Sequence, residues 1–112
     1  AEQWGRTVHV CPFCHGHELS GKRIAIQDSP AAEHQVPLLS PIAGTVEVVP
    51  AVTSVALTDD GLRVTSGSTS VVVDGLFAHP AFEQSAPFAA QLGLEMRESG
   101  CIAIDLFTNT SV

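Results

Sequence analysis

The chain has few permanent cations. Arg6, Lys22, Arg23, Arg63 and Arg97 are all of them, and the formal net charge is −7. No basic stripe exists to meet a phosphate backbone, which argues against nucleic-acid binding. Long apolar runs are missing too. None reaches the ~20 residues that span a bilayer, so no membrane partner is expected. The sequence does not open on a charged-then-apolar leader, so nothing suggests secretion. Cysteine is scarce, and its count of three is odd. Secreted disulfide scaffolds carry even numbers, so the cytoplasm is the expected compartment. There a Cys-x-x-Cys is more often catalytic or metal-binding than a structural staple. No repeat and no low-complexity tract is visible.

What is present is a hydrophobic fraction of 45% in 112 residues. That predicts one small domain with a true core, burying roughly 65% of its unfolded surface. The chemistry concentrates in Val10-Cys11-Pro12-Phe13-Cys14-His15-Gly16-His17-Glu18, with a further histidine at His9. Such a pair can cycle between dithiol and disulfide, or hold half of a metal site. For redox work one thiolate is needed at working pH, and helix N-termini or adjacent cations supply it by lowering the thiol pKa. His15 and His17 can provide a cation, or act as acid and base near neutrality. For metal, Cys11, Cys14 and two of His9, His15 and His17 could surround a tetrahedral zinc. The spacing is compressed, and no second Cys-x-x-Cys or His-x-x-x-His follows.

Local signals outline the elements. Thr7 to Val10 reads as extended, and Pro12 suits a first helical turn. Gly21 to Ile26 reads as a buried strand. Ser29-Pro30 predicts a helix start, Ser29 capping and Pro30 first in the helix, over Ala31 to Val36. Pro37 and Pro41 are expected to limit that helix. From Gly44 the chain turns β-rich, with Asp59-Asp60-Gly61 closing a hairpin and Ser66-Gly67-Ser68 a second turn before Ser70 to Val73. Leu76-Phe77-Ala78 reads as central, Ser85 to Leu92 as a short helix, and Cys101 to Asp105 as a last strand that buries Cys101 in the core. Glu33, His34 and His79 read as solvated, and Trp4 as a packing residue. A helix between the strands at 24–26 and 45–49 predicts a right-handed βαβ unit. The expected class is α/β: a degenerate three-layer Rossmann-like domain with a short parallel sheet and an added antiparallel β layer.

The order of these elements carries a resemblance. A Cys-x-x-Cys stands just before Gly21-Lys22-Arg23-Ile24-Ala25-Ile26, then come a helix and hairpins. The chain closes on Ile102-Ala103-Ile104-Asp105 and Thr108-Asn109-Thr110-Ser111-Val112. This resembles the pyridine-nucleotide domain of thioredoxin reductase-like flavoproteins. The Cys-Pro-Phe-Cys-His-Gly form is most similar to the branch that includes dithiol oxidases. The resemblance implies a thiol–disulfide oxidoreductase with Cys11 and Cys14 as redox-active disulfide. Cys14 would face the flavin, Cys11 would exchange with substrate, and His15 would serve as acid/base. It implies FAD in the full-length protein, since in that family this domain lies inside a larger FAD domain. It also implies a dithiol or disulfide substrate, either a small molecule or a thioredoxin-like protein. The chain is accordingly expected to be a domain of a longer protein, to bind no cofactor alone, and to be inactive alone.

One departure is sharp. The family carries a Gly-x-Gly-x-x-Ala/Gly turn where this sequence has Gln27-Asp28-Ser29-Pro30-Ala31-Ala32, and no glycine lies between Ile26 and Gly44. Those glycines let the backbone approach a pyrophosphate at the helix N-terminus. Asp28 puts negative charge there, and Pro30 lacks an N–H. No Arg or Lys lies between Arg23 and Arg63 to read a 2′-phosphate. NADPH binding is therefore not expected, and oxygen becomes the electron acceptor to consider. A different class stays open: a binding module, or a dimerisation module that forms a homodimer, with exposed apolar residues around Leu76-Phe77 and Pro80-Ala81-Phe82 as its surface. The small zinc domain also stays open.

Overall fold

The computed structural model describes residues 2–111. The chain divides into two compact units, Ala1–His79 and Pro80–Val112. The first contains β1 (Val8–His9), α1 (Pro12–His15), a 3-10 turn (His17–Leu19), β2 (Arg23–Gln27), α2 (Ala32–Leu39), β3 (Thr45–Val49), β4 (Ser54–Thr58), β5 (Gly61–Ser66), β6 (Thr69–Val73) and β7 (Gly75–Phe77). β1, β7, β2 and β3 lie side by side in that order, all parallel. β4, β5 and β6 form a separate antiparallel meander.

Strand alternation sorts the core into two compartments, because successive side chains point to opposite faces. Ala25 and Leu76 pack with Val8, Val49, Leu62, Val64 and Val73 of the meander side. Ile24, Ile26 and Phe77 pack with Leu19, Ala32 and Leu39 of the helical side. A parallel sheet covered on both faces needs apolar residues at every position. Ile24-Ala25-Ile26 and Leu76-Phe77 supply them, each 1% exposed or less. The result is the three-layer α/β class with a short parallel sheet and an antiparallel layer. Leu76 and Phe77 lie at the centre of the sheet, so they form no surface for a partner.

The β2–α2 connection corrects the sequence-based cap. Asp28 N–H bonds the Val49 carbonyl, continuing the ladder one residue past β2. Ala32 N–H then bonds the Ser29 carbonyl, making Ser29 to Ala32 a turn. Pro30 sits at the turn's second position, where its fixed φ fits. Ala31 therefore stands at the helix cap with no side-chain cap bond, and the Ser29 hydroxyl is buried with no partner among the described residues. α2 also runs through Pro37 instead of stopping. A helical Pro37 leaves unpaired the carbonyl four residues back, at Glu33. Glu33 is exposed in the first turn of α2.

The second unit holds α3 (Phe88–Gln91), shorter than the stretch predicted at 85–92. The predicted last strand is reduced to single bridges, Met96 with Ile102 and Ile104 with Ser111. Cys101 is exposed instead of buried. It follows the tight turn in which Gly100 N–H bonds the Arg97 carbonyl, and its own carbonyl accepts from Arg97 N–H. Among the described residues this segment meets single bridges and not a full ladder, so an apolar sequence here does not become a core strand.

Candidate functional site

The cysteines sit where the polypeptide leaves the parallel sheet. β1 ends at His9, Cys11 is extended at the helix cap, and Pro12 opens α1. Cys14 and His15 N–H groups both bond the Cys11 carbonyl, at 3.2 and 3.3 Å. Two features hold this short helix against α2. Gln35, only 5% exposed, donates its side-chain N–H to the Val10 carbonyl at 3.1 Å. Gly16 supplies room: a Cβ there would collide with the Pro12 carbonyl oxygen and come within 3.0 Å of Leu39 Cδ2.

All three cysteines are free thiols, Cys11 half-buried and Cys14 exposed. Their environments separate them. The Cys14 thiol hydrogen-bonds the Cys11 sulfur, backbone N–H groups of Cys14 and Phe13 add to it, and the Cys11 thiol is held below its ordinary pKa. The same shared hydrogen bond and some burial push Cys14 up. Of the reduced pair, Cys11 is thus the more acidic thiol and Cys14 the less acidic one. Phe13, between them, is 82% exposed.

His15 follows Cys14 and is held on two sides. Its Nδ1 lies 3.4 Å from Glu18 Oε2. Its ring stacks on His9, with centroids 4.3 Å apart and planes inclined by 23°. His9 is 4% exposed and also meets Phe77, at 5.7 Å between centroids. Burial, and then the neighbouring His15, lower the His9 pKa, with Glu18 opposing more weakly. His17 is exposed on the 3-10 turn. Cys11, Cys14 and His15 are thus brought onto one short segment. The zinc arrangement is not assembled: among the described residues no three of His, Cys, Asp or Glu converge on a common point. Two buried contributors, His9 as a stacking partner and Gln35 as a tether, are absent from the sequence-based set of roles. A histidine in an otherwise apolar strand is the signal for the first. Gln35 gives none, since its partner lies 25 residues away.

The other end of interest is the β2–α2 turn. An open hollow there is lined by Asp28, Ser29, Pro30, Ala32 and Glu33. Two of these are carboxylates and none is a cation.

Comparison with known proteins agrees with this architecture. No family model matches the chain, and no curated protein is similar to it. Solved structures do match. HlmI is 25% identical with a TM-score of 0.67, over 93% of this chain and 41% of that one. An oxidoreductase from Agrobacterium tumefaciens is 23% identical with a TM-score of 0.69, over 98% and 45%. The thioredoxin reductase of T. acidophilum is 18% identical with a TM-score of 0.69, over 99% and 48%. The neighbours are thioredoxin reductase-like oxidoreductases, and this chain has their fold. It spans less than half the length of each.

Proposed function

We propose that Cys11 and Cys14 are the redox-active pair of a thiol–disulfide oxidoreductase of thioredoxin reductase-like type, near the dithiol-oxidase branch. The observation that carries this is the pair of free thiols one helical turn apart, Cys11 half-buried and Cys14 exposed, at the end of a parallel strand on this fold. FAD would be held by polypeptide outside these 112 residues, and would accept the electron pair from the Cys14 side. A dithiol or disulfide, small or carried on a thioredoxin-like protein, is the substrate class.

The exchange balances as follows. A substrate thiolate attacks the Cys11 sulfur of the oxidised pair, and the Cys11–Cys14 bond breaks. Its electrons leave on Cys14, which takes up a proton. The second substrate thiolate then attacks the substrate sulfur of the mixed disulfide and expels Cys11. The substrate dithiol loses two electrons and two protons. The cysteine pair gains both electrons and one proton, on Cys14, and the other proton goes to solvent because Cys11 leaves as the thiolate. Cys11 is a good leaving group because its thiolate is stabilised, since a low-pKa thiol leaves faster. Cys14 is a poor one unless protonated as it departs. His15, the next residue, is the group assigned to deliver that proton.

The β2–α2 turn does not fit a nucleotide pyrophosphate. Asp28 and Glu33 would repel it, Pro30 lacks an N–H, and no glycine opens the backbone to it. NADPH is therefore not the electron source or sink in this reading, and oxygen is the acceptor. Isothermal titration calorimetry with NADPH is expected to show no tight binding, and tight binding would overturn this part. In a flavin-containing longer protein, a dithiol should bleach the flavin and NADPH should not.

A further inference from the structure

We infer that His9 is a positioning residue for His15: its buried ring is the platform on which the His15 imidazole is held beside the cysteine pair. This rests on the redox reading of Cys11, Cys14 and His15.

The strand position is made for an apolar side chain. Its neighbour Phe77 across the β1–β7 ladder is fully buried, and His9 fills the same helical-side compartment at 4% exposure. A histidine here is costly. Its Nδ1 is buried with no hydrogen-bond partner among the described residues, and an unmet buried polar atom costs roughly 1–3 kcal/mol. Core packing alone would be served better by leucine or phenylalanine. What the imidazole does make is a close, near-parallel stack on His15 at 4.3 Å. The titratable groups that face it are His15 of α1 and Glu18 of the 3-10 turn. Phe77 covers it from β7. His15 is therefore clamped between an aromatic platform and a carboxylate at 3.4 Å. Two stacked imidazolium rings would repel at this distance, so the platform works with His9 neutral, as its burial favours.

The test is a double-mutant cycle on the 112-residue chain, reading the rate at which dithiothreitol reduces the Cys11–Cys14 disulfide. His15→Ala is expected to slow it by about tenfold, the low end of general acid–base effects. His9→Ala should slow it by a similar factor, His9→Phe should keep the stack and most of the rate, and His9→Ala/His15→Ala should be no slower than His15→Ala alone. Losses that multiply in the double variant would overturn the inference, as would a His9→Ala chain that reacts at the native rate. A native rate in His15→Ala would remove the acid/base role itself, and the platform with it. A slow His15→Ala beside an unchanged His9→Ala removes only the platform. Should His9→Ala fail to fold, nuclear Overhauser contacts between the two imidazoles in the unaltered chain decide the matter. Their presence supports the stack, and their absence overturns it.

Discussion

Cys11 and Cys14 differ only in their place on one helical turn, yet their proton affinities move apart. The Cys14 thiol and two backbone N–H groups converge on the Cys11 sulfur, and Cys14 bears the complementary cost. Cys14→Ala should therefore raise the pH midpoint for alkylation of Cys11 by iodoacetamide, read by mass spectrometry, towards that of an ordinary cysteine. In the unaltered reduced chain, Cys11 should be alkylated ahead of Cys14 near neutrality. A second residue-scale prediction concerns Arg23 and Asp74. The guanidinium grips the carboxylate through Nε and an Nη at 3.1 and 3.0 Å, and the Arg23 backbone N–H adds a bond at 2.9 Å. These bonds hold the Asp74 carboxyl below its ordinary pKa. Its stabilising effect is thus complete above the unfolded value of about 3.9 and is lost as pH falls through the lower folded value. Asp74→Asn should lower the melting temperature at pH 7 and flatten the acid limb of stability against pH. The motif itself was legible from spacing, because two cysteines separated by two residues stand out in a chain with only three. The His9–His15 stack was not, because it depends on how strand β1 meets α1 in space.

At the scale of elements, strands and turns were legible where local chemistry and period agreed. The Asp59-Asp60-Gly61 turn pairs Leu57 with Leu62 as alternation requires, and Gly61 takes a φ of 137° that favours glycine. The helix boundaries were not, because tertiary pairing took precedence. Extending the β2–β3 ladder to Asp28 moved the turn, and Ser29 lost its capping role. Ser29→Ala is therefore expected to leave stability unchanged or to raise it by removing an unpartnered buried hydroxyl, where loss of a true N-cap costs about 1 kcal/mol. Gly16→Ala should do the reverse of what helix propensity suggests. Alanine ordinarily gains up to ~1 kcal/mol over glycine in a helix. Here the added methyl meets the Pro12 carbonyl and Leu39, and overpacking of this kind costs ~1–3 kcal/mol. Urea unfolding distinguishes the two signs. Phe77→Ala, emptying the centre of the helical-side core, should cost ~3–5 kcal/mol in the same assay.

Across the whole molecule, the α/β class followed from the helix between two apolar strands and the hairpins after it. The second unit is less legible from sequence. Cys101-Ile102-Ala103-Ile104 has the composition of a core strand, but a strand is buried only if a sheet receives it, and here single bridges do so. No helix among the described residues is long and apolar enough to cross a membrane. The functional reading joins two features of the first unit: a dithiol at the end of β1 and an acidic, glycine-free turn after β2. The most direct measurement is equilibration of the 112-residue chain in glutathione redox buffers, followed by mapping of the thiols and elemental analysis. A reversible Cys11–Cys14 disulfide is expected, with Cys101 remaining free and no bound metal. A chain that forms no such disulfide, or that retains stoichiometric zinc on these cysteines, would contradict the assignment.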